Sequence, residues 1–443
     1  MRGIKSKVFP VGRRGAFLLT ALVAMAMATP VIATPAATAA TKGSIIRVPS
    51  DKPTIQAAVD ASKSGTLILI APGTYKEAVV VSPKHSNIVI RGEDRATTIL
   101  DGEFSSEAGK ENGFKVFADG VAIENMTVQN FSTNGFYWIG AKGYRGSYIT
   151  AIRNGDYGIY AFDSVKGQFD HAYASGSPDA GFYIGQCYPC DALIVDSESE
   201  WNGLGYSGTN AGGNLLIARS SWHDNRAGIV PNSGTGEKLY PQHGATIIGN
   251  SVYDNNNAGT AAIEIAQVAV GNGILIAGGN DNLVERNRVE NHTVTGIGII
   301  PLPETVLNPE SATAKDFDSK RNSVLANIVQ KNLYDLVSVT SLTDASDAGK
   351  NCFAGNTYTT SSPPDIEKVL PCKKPAVGYE ADIALFASLL GSTKPPSIDY
   401  QAVALPSPPK LANMPKAKTA AARAATNEPS IKISVKKLSV PAE

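Results

Sequence analysis

The chain has 443 residues, 43% of them hydrophobic and only 18% charged, with Lys+Arg and Asp+Glu both at 40. That is enough apolar residue for a sizeable core and too little charge for a coiled coil or a charge-driven disordered chain. The neutrality hides a division: residues 1–40 carry five basic and no acidic residues and 373–443 carry ten and five, leaving 25 basic against 35 acidic in 41–372, a net of −10. An acidic body exerts no pull on a phosphate backbone, so nucleic acid is disfavoured as a partner.

Residues 1–40 read as a secretory signal peptide. A basic start (Arg2, Lys5, Lys7, Arg13, Arg14) precedes an apolar run at 16–28 and small residues ending in Ala37-Thr38-Ala39. The run is too short to span a bilayer, and no second long apolar run follows. The mature protein is therefore expected to be secreted, with no transmembrane segment. Four cysteines suit an oxidising compartment. They allow three pairings, of which the local pairs Cys187–Cys190 and Cys352–Cys372 are the simplest. A redox or metal role for the CxxC is disfavoured, because strand-like Ala192-Leu193-Ile194-Val195 follows it and no second ligand pair completes a zinc site.

Thr54 to Ala61 has helical apolar spacing and is expected to cap the first of a series of repeats. From residue 113 a glycine followed by alternating apolar residues recurs at Gly113, Gly135, Gly158, Gly181, Gly205, Gly228, Gly273 and Gly296, in steps of 22, 23, 23, 24, 23, 45 and 23. About 19 residues after each glycine a strand-like stretch ends in Asn: Asn130, Asn154, Asn202, Asn225, Asn255, Asn291 and Asn332. Short strands with glycine and Asn at fixed corners cannot bury both faces alone, whereas stacked coils can. The period predicts an all-β, single-stranded parallel β-helix of about 23 residues per coil over 41–375. Asn suits the corners because it tolerates left-handed dihedrals and can bond to the backbone of a neighbouring coil. Asp382 to Leu390 is expected to form a short helical cap within 376–443. Pro-, Ala- and Lys-rich sequence follows from Thr393, expected as an extended or disordered tail.

The opening TIQAAVDASKSGTLILIAPGTYKEAVVV at 54–81, with NIVIRGEDRATTILDG at 87–102, resembles the N-terminal coil of secreted right-handed parallel β-helix proteins of the pectin-lyase-like superfamily. The glycine-strand repeats resemble the same proteins, so the likeness spans residues 45–370. It implies the fold, and a site on the sheet that begins at the repeated glycine. The signatures of that superfamily's epimerases, polygalacturonases and methylesterases are not matched.

Strand alternation then sorts the candidate site. One residue after the glycine is apolar and points inward. Two after it should point outward, which places Tyr137, Tyr160 and Tyr183 in a column in consecutive coils, about 4.8 Å apart. Sugar rings stack on such faces, although a stack of this kind can also simply stabilise a sheet under a loop. Gln186, Asn210 and Asn232 lie beside the column, and Asp156, Asp179 and Arg226 lie two before the glycine. The 45-residue step marks two long loops, 234–243 and 258–271, on either side of the Gly228 strand, and a third loop falls at 301–321. Long loops on a repetitive scaffold mark its binding face. They supply Glu237, Lys238, Tyr240, His243 and Glu264.

The function favoured by these residues is a polysaccharide lyase or epimerase acting on an extracellular glycan, with uronic-acid glycans among the candidates. Arg226, Asn210 and Asn232 would neutralise the sugar carboxylate, and Lys238, Tyr240 or His243 would serve as base. Two alternatives stand beside it. One is a non-catalytic glycan-binding or cell-surface structural protein. The other is a glycoside hydrolase using Asp156 with Asp179, or Asp179 with Glu264. The paired Asp residues could also hold Ca²⁺.

Overall fold

A computed structural model describes residues 44–425 and 429–442; the expected signal peptide lies outside the described residues. The described residues form one compact unit. Each coil contributes one strand to each of three parallel sheets of 12, 11 and 10 strands. The coil at the middle of the molecule is typical. Val165–Asp170 lies in the 12-stranded sheet, Tyr173–Ser175 in the 10-stranded sheet and Ala180–Gly185 in the 11-stranded sheet, and Ala192–Val195 then returns to the first. Strands pair in unbroken parallel register one coil apart, as in Ile159↔Phe182 and Ile229↔Ile274. The first coil is capped by the helix Ile55–Ala61. Thr54 starts it by accepting a hydrogen bond from the Ala57 N–H (3.0 Å), and Ile55, Ala58 and Val59 are buried.

The repeated glycines open the strands of the 11-stranded sheet, hereafter the groove sheet, and packing explains them. A Cβ at Gly228 would sit 2.7 Å from Val252 Cγ1 and 2.5 Å from the Gly273 carbonyl oxygen; one at Gly273 would sit 2.6 Å from Val289 Cγ1. The inward side chains of the 10-stranded sheet occupy the space a side chain would need, so the corner closes only around glycine. Behind it the residues one after the glycine form the core column Phe114, Phe136, Ile159, Phe182, Tyr206, Ile229, Ile274 and Ile297, all buried.

The corner asparagines act differently from expectation in one respect. Asn202, Asn225 and Asn255 are buried, and each side-chain carbonyl takes a backbone N–H from the preceding coil: Ser177 N–H to Asn202 (2.9 Å), Asn202 N–H to Asn225 (3.0 Å) and Asn225 N–H to Asn255 (3.2 Å). A second ladder runs through Asn250, Asn287, Asn327 and Asn356, and a third through Asn282, Asn322 and Asn351. At these rungs the left-handed backbone falls on the residue before (Trp201, Asp224, Asp254), so Asn serves there through its amide, whereas Asn130 and Asn291 adopt the expected left-handed dihedrals themselves.

The disulfides are Cys187–Cys190 and Cys352–Cys372. The C-terminal helix Ile383–Gly391 packs against the groove sheet, with Phe386 buried. Residues beyond it lie along the body. Body arginines donate to tail carbonyls, and one tail lysine, Lys418, pairs with Glu93 of the body (3.1 Å). Arg226 reaches the Pro395 and Pro396 oxygens (2.7 and 2.6 Å), Arg153 reaches Val403 (2.7 Å) and Arg91 reaches Ala420 (2.7 Å). Among the described residues no helix is long and apolar enough to cross a membrane.

Asn225→Ala should lower stability by about 1–3 kcal/mol. It removes one rung and strands the buried Asn202 N–H of the preceding coil, while the Asn255 carbonyl keeps the backbone N–H of residue 225, and an orphaned buried group costs roughly that much. A urea-unfolding midpoint within error of wild type would show that the ladder does not hold the coils.

Candidate active site

The groove-sheet residues two after the glycine, in coil order, are Lys115, Tyr137, Tyr160, Tyr183, Ser207 and Val230. Tyr137 and Tyr160 are half-buried and stack with ring centroids 4.5 Å apart and planes 7° from parallel. Tyr183 meets Tyr160 edge-on at 4.8 Å but is only 1% exposed, because Glu237 folds over it and accepts its hydroxyl hydrogen. The column is therefore open at two rings and covered at the third.

Over the next coils the three long loops enclose a cavity of about 550 Å³, within the size range of small-molecule sites. Its floor is Tyr157, Asp179, Ser207, Thr209 and Asn232. Its walls carry Glu237, Glu264 and Glu304, one from each loop. Glu304 binds the loops to one another, accepting from the Thr235 N–H (2.9 Å) and the Lys315 N–H (3.2 Å). Gln186 accepts from the Lys238 N–H (2.8 Å) and Asn210 bonds Gly234 in both directions (2.7 and 3.1 Å), so these two amides hold the 234–243 loop and do not line the cavity.

The carboxyls here are unusual. Asp179 is 3% exposed; its Oδ2 accepts from the Tyr157 hydroxyl (2.8 Å) and its Oδ1 is buried with no hydrogen-bond partner. Burial above all, then the charge of Asp156, holds the Asp179 pKa well above the ordinary carboxylate range. Burial, then Glu264, raises Asp156 to about 7. Burial also brings Glu237 to about 7, against the lowering effect of the Tyr183 hydrogen bond, and its Oε2 too is buried without a partner. The phenols of Tyr157, Tyr160 and Tyr183 are all raised, burial again being the largest cause.

Of the residues singled out from the sequence, Asp179, Asn232, Glu237 and Glu264 line the cavity and Tyr183 sits beside it under Glu237. The proposed bases and the proposed neutralising arginine lie elsewhere. Arg226 is fully buried and spends its guanidinium on Thr260 and the tail carbonyls. Lys238 is exposed. Tyr240 lies under Lys315, 4.0 Å from its ring, and against Phe317. His243 bonds the Pro241 oxygen (2.7 Å) and packs on Tyr188. Nor do the cavity acids fit a calcium cage. Among the described residues, the one group of three acidic or histidine side chains with converging ligand atoms is Glu198, Glu200 and His223, on the 10-stranded sheet.

Tyr157, one before the glycine, was missed. Strict alternation would send it inward, but the corner at Gly158 breaks the period: a Cβ there would meet Ala151 and Ala174 of the core, while Ala180 and Leu204, in the column of Tyr157, pack outward under the 258–271 loop. The signal was present as a large aromatic followed in the same column by the smaller Ala180, Leu204 and Ala227.

The chain is similar in structure to the mannuronan C-5 epimerase AlgE4 A-module of Azotobacter vinelandii, with TM-score 0.53 and 15% identity over 73% of this chain and 94% of that one. It is also similar to the AlgE6 A-module of the same organism, with TM-score 0.50 and 16% identity over 70% and 94%. Its fold is the right-handed parallel β-helix, as in these two modules. No family model and no curated protein matches this β-helix in sequence.

The raised acids make stability depend on pH with a definite sign. Unfolded carboxyls lose their protons near pH 4, whereas Asp156 and Glu237 keep theirs to about 7. The folded state binds more protons in that interval, so these groups cost stability progressively as pH rises through it. Asp156→Asn and Glu237→Gln should therefore gain stability relative to wild type between about pH 4 and pH 7. A difference that stays constant across urea titrations in that range would show that neither group holds its proton.

Proposed function

We propose that this protein is a secreted glycan-active enzyme that works by carboxyl acid–base chemistry, as a glycoside hydrolase. The observation that carries the reading is the composition of the cavity: Asp179, Glu237, Glu264 and Glu304 line it, with no Lys, Arg or His. A lyase or epimerase would need a base for the proton beside a sugar carboxylate and a cation or amides to neutralise that carboxylate. The candidate bases Lys238, Tyr240 and His243 stand outside the lining, and tyrosinate is disfavoured at three buried phenols. A wall of acids would also repel a uronate. Glycosidic bond cleavage instead asks for one carboxyl that holds a proton to give to the leaving oxygen, and a second to assist water or attack the sugar.

Asp179 is the proton donor in this reading, kept protonated by burial and aimed by Tyr157. Glu264, itself exposed and part of the cavity lining, is the second carboxyl. Tyr137 and Tyr160 supply the stacking face for the sugars beyond the cleavage point. The two disulfides suit the oxidising compartment in which such glycans are met.

Screening the protein on neutral and acidic glycans should yield new reducing ends with no ultraviolet-absorbing unsaturated product. Asp179→Asn and Glu264→Gln should each lower kcat by about 10²–10⁴-fold with glycan binding retained. An unsaturated product would restore the lyase reading, and binding without turnover on any glycan would make this a recognition module.

A further inference from the structure

The two ends of the groove are built differently. Toward the N-terminal coils its floor is open: Val80 is 41% and Phe117 is 37% exposed, and Lys115, Tyr137 and Tyr160 are half-buried. The ammonium of Lys115 lies 6.0 Å from the Tyr137 ring. Tyr157 joins this open stretch to the cavity, its ring 4.4 Å from Tyr160 on one side while it lines the cavity on the other.

Past the cavity the same sheet is sealed. The next floor positions, Leu275, Gly298 and Val337, are buried, with Leu275 paired to Gly298 and Gly298 to Val337. Leu302 and Leu307 from the 301–322 loop cover them together with Leu385, Phe386 and Leu389 of the C-terminal helix. The space left between these residues is about 70 Å³ and its lining is almost wholly apolar. That is room for about two waters, and it offers a sugar ring hardly any hydrogen-bond partner, so a glycan cannot continue through it.

We infer that the groove is blind, and that the enzyme acts on the end of a linear glycan, which enters over Tyr137 and Tyr160 and stops against the Leu302–Leu307–Phe386 wall. Cleavage then takes place in the cavity, within a few sugars of that end, and releases one short product. The inference rests on the glycan-active reading above.

The test uses the full chain and the glycan on which turnover is found, as a polymer, as end-labelled oligosaccharides, and as the same oligosaccharides with each end in turn chemically blocked. A chain-end enzyme releases a single short product from the first time point, lowers viscosity slowly and fails on substrate blocked at one particular end. A ladder of product lengths, or equal cleavage with either end blocked, overturns the inference while leaving the hydrolase reading intact. Absence of turnover on every glycan defeats the hydrolase reading instead, and calorimetry of Asp179→Asn then decides the groove by itself: equal affinity for free and end-blocked oligosaccharides refutes a blind end. Phe386→Ala with Leu389→Ala should open the wall and broaden the product lengths, and a circular-dichroism melt verifies that the variant is folded. Tyr137→Ala, remote from the wall, should raise KM several-fold with the product length unchanged.

Discussion

The structure depends on coils that stack at constant height. Backbone pairing within the three sheets supplies the spacing, but strands alone can slip, and a slip of one residue would turn every inward side chain outward. The buried amide ladders prevent this. Each rung satisfies an N–H of the preceding coil at a corner where no strand partner exists, and at several corners the next rung's carbonyl oxygen also accepts from the side-chain amide, as Asn225 does from Asn202 (3.1 Å). A buried, fully connected chain of amides is costly to break at any one link. Because height is fixed in this way, residues 22 to 45 apart in sequence meet as neighbours, and a floor of one tyrosine per coil is possible at all.

Against that background the cavity acids stand out. Other buried acids are better satisfied: Glu124 lies between Arg91 (2.6 Å) and Arg145 (2.5 Å) where the tail crosses the body. Asp170 accepts from Ser147 (2.7 Å) and Gln168 (2.6 Å). Asp179 has a single phenol, Glu237 has a single phenol, and each keeps a buried oxygen without a partner. Nothing in the packing requires a carboxyl at either place, and Asn or Gln would fit the same space without the cost of desolvating an acid. Under the hydrolase reading proposed above, the buried Asp179 carboxyl without a counterion is the proton held for use, as perturbed groups serve at working sites.

Much of the fold was readable before any coordinates. Glycine spacing gave the coil length because a corner that admits no Cβ cannot vary, and the 45-residue step located the walls of the cavity because inserted chain has nowhere to go but out from a stacked coil. The chemistry was less readable, for two physical reasons. Side chains in long loops obey no period, so whether Lys238, Tyr240 or His243 turns toward the cavity is decided by tertiary contacts such as Lys315 over Tyr240. Period two also fails at the glycine corner, so alternation placed the Tyr160 column correctly and overlooked Tyr157 one step away.

Arg226 shows how one side chain can be misread and still matter to the site. Its position two before a repeated glycine suggested a substrate carboxylate as partner. Its guanidinium instead holds the Pro395 and Pro396 carbonyls, four to five residues beyond the helix that seals the groove, and the Thr260 carbonyl (2.9 Å) in the loop that carries Glu264. Ser397 adds a bond to the Ala262 N–H (2.8 Å) in that same loop. The tail thus braces one wall of the cavity and anchors the chain that follows the stopper. An arginine does this where lysine could not, because five fixed donors can serve several carbonyls from two chain segments at once. The carbonyls it binds are neutral, so its positive charge is not cancelled, yet it does not rescue the ionised form of the acids, since it faces away from the cavity lining. The acids remain without a counterion while this buried arginine is committed to holding their enclosure in place.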